Sequence, residues 1–125
     1  MTSRLRGRVG WLGVLLVGTA FVIWAIAMLS REARERRAIL KPLLSRNAPL
    51  SDVRAQAGEF AIWRRGTPTW DQVFAKYERG SEWDRHIASK MKNAAAVGHT
   101  STISMQTWIF LNQEDRLIDF ELGSQ

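Results

Sequence analysis

The sequence predicts an α+β protein: a single N-terminal transmembrane helix, then a small domain of two or three helices packed on a C-terminal antiparallel β-hairpin, with a third short strand as an option. Three observations carry that prediction. Residues 10–29 are twenty consecutive positions without a charge, Asn, Gln, His or Pro. Residues 69–97 show two successive stretches of helical periodicity. Residues 102–122 show two runs of strict alternation around a polar turn.

A helix over residues 10–29 would measure roughly 30 Å, the thickness of a bilayer core. Thr19 is its only hydroxyl, and that group can bond back to its own helix. Trp11 stands near the expected headgroup level and Trp24 within the span. Gly10, Gly13 and Gly18 lack the four-residue spacing of a helix-pairing face. The chain therefore divides into a basic tail (1–9), the transmembrane helix (10–29), a basic juxtamembrane helix and linker (30–49), and an α+β domain (50–125).

Charge follows the same division. Of a net +6, residues 1–46 hold nine Lys/Arg against two Glu, and residues 47–125 hold nine basic against ten acidic residues. The excess positive charge flanks the span, and the domain is near neutral. That distribution points to lipid and away from nucleic acid, whose binders carry charge on the folded domain. Arg31, Arg34, Arg36, Arg37 and Lys41 are the expected lipid-headgroup contacts.

The Lys/Arg count after the span favours a cytoplasmic domain by the positive-inside rule, but the rule tolerates long translocated domains, so the side stays open. A cleaved signal peptide ending at Ala25-Ile26-Ala27 is the competing reading, opposed by the apolar run continuing through Met28 and Leu29. The expected location is the cell (inner) membrane of a bacterium, as a single-pass protein. The absence of cysteine removes disulfides, thiolate metal sites, a Cys nucleophile and a lipoprotein-type anchor.

Beyond the span, Ser30 to Lys41 should prolong the helix, with Pro42 ending or kinking it. Ser45 to Pro49 reads as a linker of turn formers. Ser51 is a plausible cap for a short helix over 52–57 that stops at Gly58, and residues 59–64 suit a short strand. Thr69 and Gln72 form a capping box ahead of the face Trp70, Val73, Phe74 and Tyr77. Gly80 ends that helix and Ser81 caps another over 82–97, on which Trp83, Ile87, Met91 and Ala94/Ala95 share a stripe. Finally, Ile103, Met105, Thr107, Ile109 and Leu111 alternate with Ser104, Gln106, Trp108 and Phe110. The turn 112–115 follows, then Ile118, Phe120 and Leu122 alternate with Asp119 and Glu121. One hairpin face should meet the helices and the other should be at least partly wet.

The short helix closed by glycine (Ser51 to Gly58) and the closing hairpin loosely resemble the small periplasmic domains of the SmpA/OmlA (BamE-like) families. Those families are typically lipid-anchored through a cysteine, which this chain lacks; the likeness extends no further.

No motif specifies catalysis. His86 and His99 are the only histidines; neither belongs to a paired metal motif, and both read as structural. His99-Thr100-Ser101-Thr102 reads as a helix-to-strand turn satisfied by hydroxyls. Glu82/Asp84 suit a helix start and Glu114/Asp115 a hairpin turn. No cofactor or metal is expected. Trp63, Arg64, Arg65 and Trp108 form the candidate protein-binding patch, because Trp and Arg are enriched at binding hot spots. The expected function is a non-enzymatic, membrane-anchored interaction domain, an accessory or assembly component of a membrane complex whose partners are membrane lipids and a membrane or membrane-associated protein. The alternatives are a small membrane-bound enzyme using His86 or His99, or an anionic-lipid sensor.

Overall fold

The computed structural model describes the backbone of residues 2–124 and the side chains of residues 12–28 and 30–124. The chain divides after Glu32 into an N-terminal unit and a second unit that starts at Ala33. Trp11, read as a headgroup-level residue, has its side chain outside the described residues.

Helix α1 (Thr2–Ser45) has one segment apolar and long enough to cross a membrane, and none of the most apolar stretch is buried. Leu16, Val17, Phe21 and Ile23 are each more than 60% exposed among the described residues. Thr19 Oγ1 donates to the Leu15 carbonyl at 2.8 Å, satisfying the one hydroxyl of residues 10–29. The helix continues through Pro42 instead of stopping there. Leu40 and Leu43 on either side of the proline are buried in the second unit, and that packing outweighs the single backbone hydrogen bond a proline forfeits.

The second unit also contains α2 (Leu50–Ala57), β1 (Ala61–Arg64), α3 (Pro68–Glu78), α4 (Glu82–Met91), β2 (Ala96–Ser101), β3 (Met105–Leu111) and β4 (Leu117–Ser124). The four strands form one antiparallel sheet in the order β1-β2-β3-β4. The expected closing hairpin is β3–β4, with Leu111 opposite Leu117. Its turn is closed by Asn112, whose side-chain oxygen accepts from the amides of Glu114 and Arg116. The optional short strand is β1.

The hairpin count needs correction, because β2 occupies residues read as the end of a helix and a turn. Residues 94–96 are alanines with high helix propensity, yet α4 ends at Met91. Six residue pairs with β3, from Ala96↔Leu111 to Ser101↔Gln106, hold the segment extended. Gly98 lies where side chains crowd the backbone: a Cβ there would come within 2.6 Å of Ile109 and 2.9 Å of Ile62.

The second correction concerns the sheet's outer face. On β3, Ile109 and Leu111 join Leu40, Leu43, Leu50, Val53 and Leu117 in one core. Trp108 and Phe110, one residue out of phase, join Trp70, Ile87 and Met91 in another. The sheet is therefore covered on both faces, by the end of α1 with α2 on one side and by α3 with α4 on the other. No face of β3 is wet; five of its seven residues, Thr107 to Leu111, are buried in succession.

Local signals explain most element ends. Thr67, not Thr69, caps α3 by accepting from the Trp70 amide at 3.3 Å, and Pro68 sits at the first helical position where its missing N–H costs nothing. Ser81 and Asp84 form a reciprocal capping box on α4. The stretch read as a linker is packed: Ala48 is fully buried, its carbonyl accepts from the Leu117 amide, and Pro49 bridges Arg116. Ser51 lies inside α2, whose first flanking residue is Pro49.

Candidate functional site

The end of β1 delivers two consecutive arginines to opposite tasks. Arg64 forms a bidentate pair with Asp115 in the β3–β4 turn, at 2.6 and 2.9 Å. Asp115 adopts a left-handed backbone (φ 56°), which a short polar side chain tolerates. The hydrogen bond from Arg64 holds the Asp115 carboxyl below its ordinary value, and the same contact raises Arg64. Both side chains remain substantially open to solvent.

Arg65 instead closes the C-terminus of α4. Its Nε donates to the Ala94 carbonyl at 2.9 Å. One terminal nitrogen donates to the carbonyls of Met91 (2.8 Å), Lys92 (2.7 Å) and Ala94 (2.8 Å). These carbonyls lie at and just beyond the end of α4, and a cation there also complements the dipole. The guanidinium lies 5.2 Å from the Trp70 ring centroid, a cation–π contact. The Arg65 backbone N–H donates to the Ala95 carbonyl at 2.9 Å, and Gly66 (φ 86°) then turns the chain toward α3.

Two open clefts flank this guanidinium. One, of about 290 Å³, lies between Arg65, Lys92, Asn93, Asn112 and Gln113. The other, of about 390 Å³, lies between Arg65, Trp70, Asp71, Phe74 and Lys92. Their rims present two cations, three amide side chains and two aromatic rings, with Asp71 as the single carboxylate. Such a set suits a segment carrying carboxylates or exposed carbonyl oxygens.

The structure separates the four residues of the candidate patch. Arg64 and Arg65 reach the surface. Trp63 is half-buried, its ring stacked on His99 at 6.1 Å and 18°. Trp108 is fully buried and contributes no surface; its Nε1 donates to Gln106 Oε1 at 2.8 Å, and Tyr77 meets it edge-on at 5.1 Å. The physical reason is the second layer of helices over this face of the sheet. Lys92, Asn93, Asn112 and Gln113 went unnoticed because nothing local links the end of α4, a hairpin turn and β1. Only the antiparallel pairing brings them together.

The histidines belong to different surroundings. His99 sits 4.4 Å from the Trp108 ring, and burial lowers its pKa from the ordinary 6.5, which favours its neutral form. His86 Nε2 lies 3.0 Å from Glu121 Oε1 on β4. Lys90, one turn along α4, bonds Glu121 as well as Asp119, the latter at 2.7 Å. Burial pushes Glu121 up, but its bonds from Lys90 and His86 outweigh this and leave it below the ordinary value. This network ties α4 to β4. Among the described residues, no group of three or more His, Cys, Asp or Glu side chains is placed to hold a metal ion.

No family model, curated protein or solved structure matches this chain. The reading of its role rests on its own residues.

The basic residues after the span also separate. Arg36, Leu40 and Leu43 share one face of α1, and an Arg36 terminal nitrogen donates to the Ala57 carbonyl at 3.3 Å. Arg34, Arg37 and Lys41 recur at i, i+3 and i+7 on another face, and all three are exposed. Arg31 is also exposed and lies in the N-terminal unit.

Proposed function

We propose that this chain is a single-pass, membrane-anchored interaction domain, a non-enzymatic accessory or assembly component of a bacterial membrane complex. The observation that supports it most is the exposed apolar surface of α1 between Leu12 and Met28, continuous with a helix whose other end is a core element of a folded unit. That surface is stable against hydrocarbon and costly against water, at about 25 cal/mol for each Å² of apolar area. Arg31, Arg34, Arg37 and Lys41 supply headgroup contacts beside it, and Arg36 divides its charge between lipid and Ala57.

The folded unit binds its partner through the two clefts beside Arg65, where the rim composition fits a carboxylate-bearing segment of a neighbouring membrane protein. Arg64 lies at the edge of this area through its pair with Asp115. A photo-activated crosslinker placed at Gln113 in the full chain, in native membranes, should capture a defined partner. Lys92→Glu should reduce that adduct several-fold while the unit stays folded by tryptophan circular dichroism. An adduct undiminished by the charge reversal would place the binding surface elsewhere, and full extraction of the intact chain by carbonate would remove the anchor itself.

A further inference from the structure

We propose that the tip of the β2–β3 hairpin, residues 102–104, is a second membrane contact, with Ile103 entering the lipid interface. The inference rests on the reading of residues 10–29 as a membrane anchor and extends it to the folded unit.

The unit's own hydrogen bonds locate the tip. The turn joining α1 to α2 lies at the β3–β4 turn, since Leu50 N donates to the Asp115 carbonyl and Leu117 N to the Ala48 carbonyl, each at 2.8 Å. The two helices run antiparallel from there, with Arg36 reaching the Ala57 carbonyl at the far end of α2. From Ala57 the chain passes to Ala61, which pairs with His99 near the top of β2. The entry of the chain into this unit and the β2–β3 tip therefore lie at the same end of the sheet. Ser30, Arg31 and Glu32 are all that separates Leu29, the last apolar residue of the anchor, from Ala33. Even fully extended, that stretch reaches less than about 15 Å, so the entry end is held close to lipid whatever angle the anchor takes.

The chemistry of the tip fits an interface. Ile103 is fully exposed, at 101% of its reference area, and among the described residues of this unit the only other exposed large hydrophobic side chain is Ile118 at 38%. From His99 to Gln113 there is no Asp, Glu, Lys or Arg, and burial favours the neutral form of His99. Thr102 closes the tip on itself, its N–H donating to the Met105 carbonyl at 2.7 Å and its Oγ1 accepting from the Met105 N–H at 3.2 Å. An isoleucine side chain transferred from water shifts a contact equilibrium by about ten- to a hundredfold. A tethered domain needs no more than that, because the anchor already supplies a high effective concentration of membrane.

The absence of cysteine makes the test direct. Single-site variants Ser101→Cys, Gln113→Cys and Val17→Cys, each in the full chain, carry an environment-sensitive fluorophore in vesicles of zwitterionic and anionic phospholipid with nitroxide-labelled acyl chains. The label at 101 should be quenched several-fold more than that at 113, and Ile103→Asp added to Ser101→Cys should abolish the difference. Equal quenching at 101 and 113, with strong quenching at 17, would overturn the lipid contact and leave the anchor standing. No quenching at 17 would overturn both. A label at 101 shielded from both nitroxide and aqueous iodide would mean that protein covers the tip, which also refutes the proposal.

Discussion

Arg64 and Arg65 are adjacent and chemically identical, yet the structure assigns them very different weights. The Arg64–Asp115 pair is bidentate but open to water, and exposed pairs contribute about 0–1 kcal/mol. Arg65 holds three carbonyls at the end of α4 and covers the Trp70 ring. Charged hydrogen bonds contribute about 1.5–3 kcal/mol where no water replaces them, and a cation–π contact adds about 0.5–1. Partial rehydration of the freed carbonyls reduces the total, so Arg65→Met should cost about 2–3 kcal/mol against less than 1 for Arg64→Ala. For a unit this size 1 kcal/mol moves the midpoint by about 5 °C. The expected drops are therefore about 10–15 °C and under 5 °C, followed by near-ultraviolet circular dichroism of the full chain in mild detergent. Salt should shrink the Arg64 effect and leave the Arg65 effect in place. The Arg64 contribution should also disappear in acid: Asp115 is held below 3.8, so the pair is complete above that pH and lost as pH falls through the lowered value. Equal losses for the two variants, or a larger one at Arg64, would refute the division of roles.

Other outcomes follow from burial. Leu43→Ala should destabilise the folded unit by about 2–5 kcal/mol, as a core truncation does, in urea unfolding monitored by tryptophan fluorescence; a cost near zero would mean the end of α1 is not core. Gly98→Val should cost at least about 1–3 kcal/mol through crowding against Ile109 and Ile62, and adding Ile109→Val should recover part of it. Burial favours neutral His99, so its contribution is complete above pH about 6.5 and is lost as pH falls toward its lowered folded value. His99→Phe should flatten the urea midpoint across that range, and an unchanged slope would show that His99 is not the group responsible.

Much of the architecture was legible because it depends on neighbours in the chain. The cap at Ser81, the stop at Gly80 and the alternation in β3 and β4 are all local, and each lies where its spacing predicted; the capping box belongs to Ser81 and Asp84, not to Thr69 and Gln72. Three features misled. Alanines at 94–96 favour helix in isolation, but pairing with β3 overrides that preference. Pro42 reads as a stop until Leu40 and Leu43 find a core. Alternation in β3 separates two faces, but Trp108 and Phe110 on one and Ile109 and Leu111 on the other are all apolar, so the pattern alone left open whether the second face is covered. The candidate site was half visible: the two arginines stand out in the sequence, whereas their partners Asp115, Met91 and Ala94 lie some 26 to 51 residues away.

By itself the sequence determined where charge and apolar length lie, since solvation depends on composition along a contiguous stretch. Residues 10–29 favour hydrocarbon in any fold, and the excess positive charge flanks them. Tertiary structure alone decided that the sheet has four strands with helices over both faces, that Trp108 is core, and that Arg65 caps α4 while Arg64 pairs with Asp115. Those outcomes depend on which distant segments meet, and no local preference encodes a contact whose energy exists only once both partners are in place.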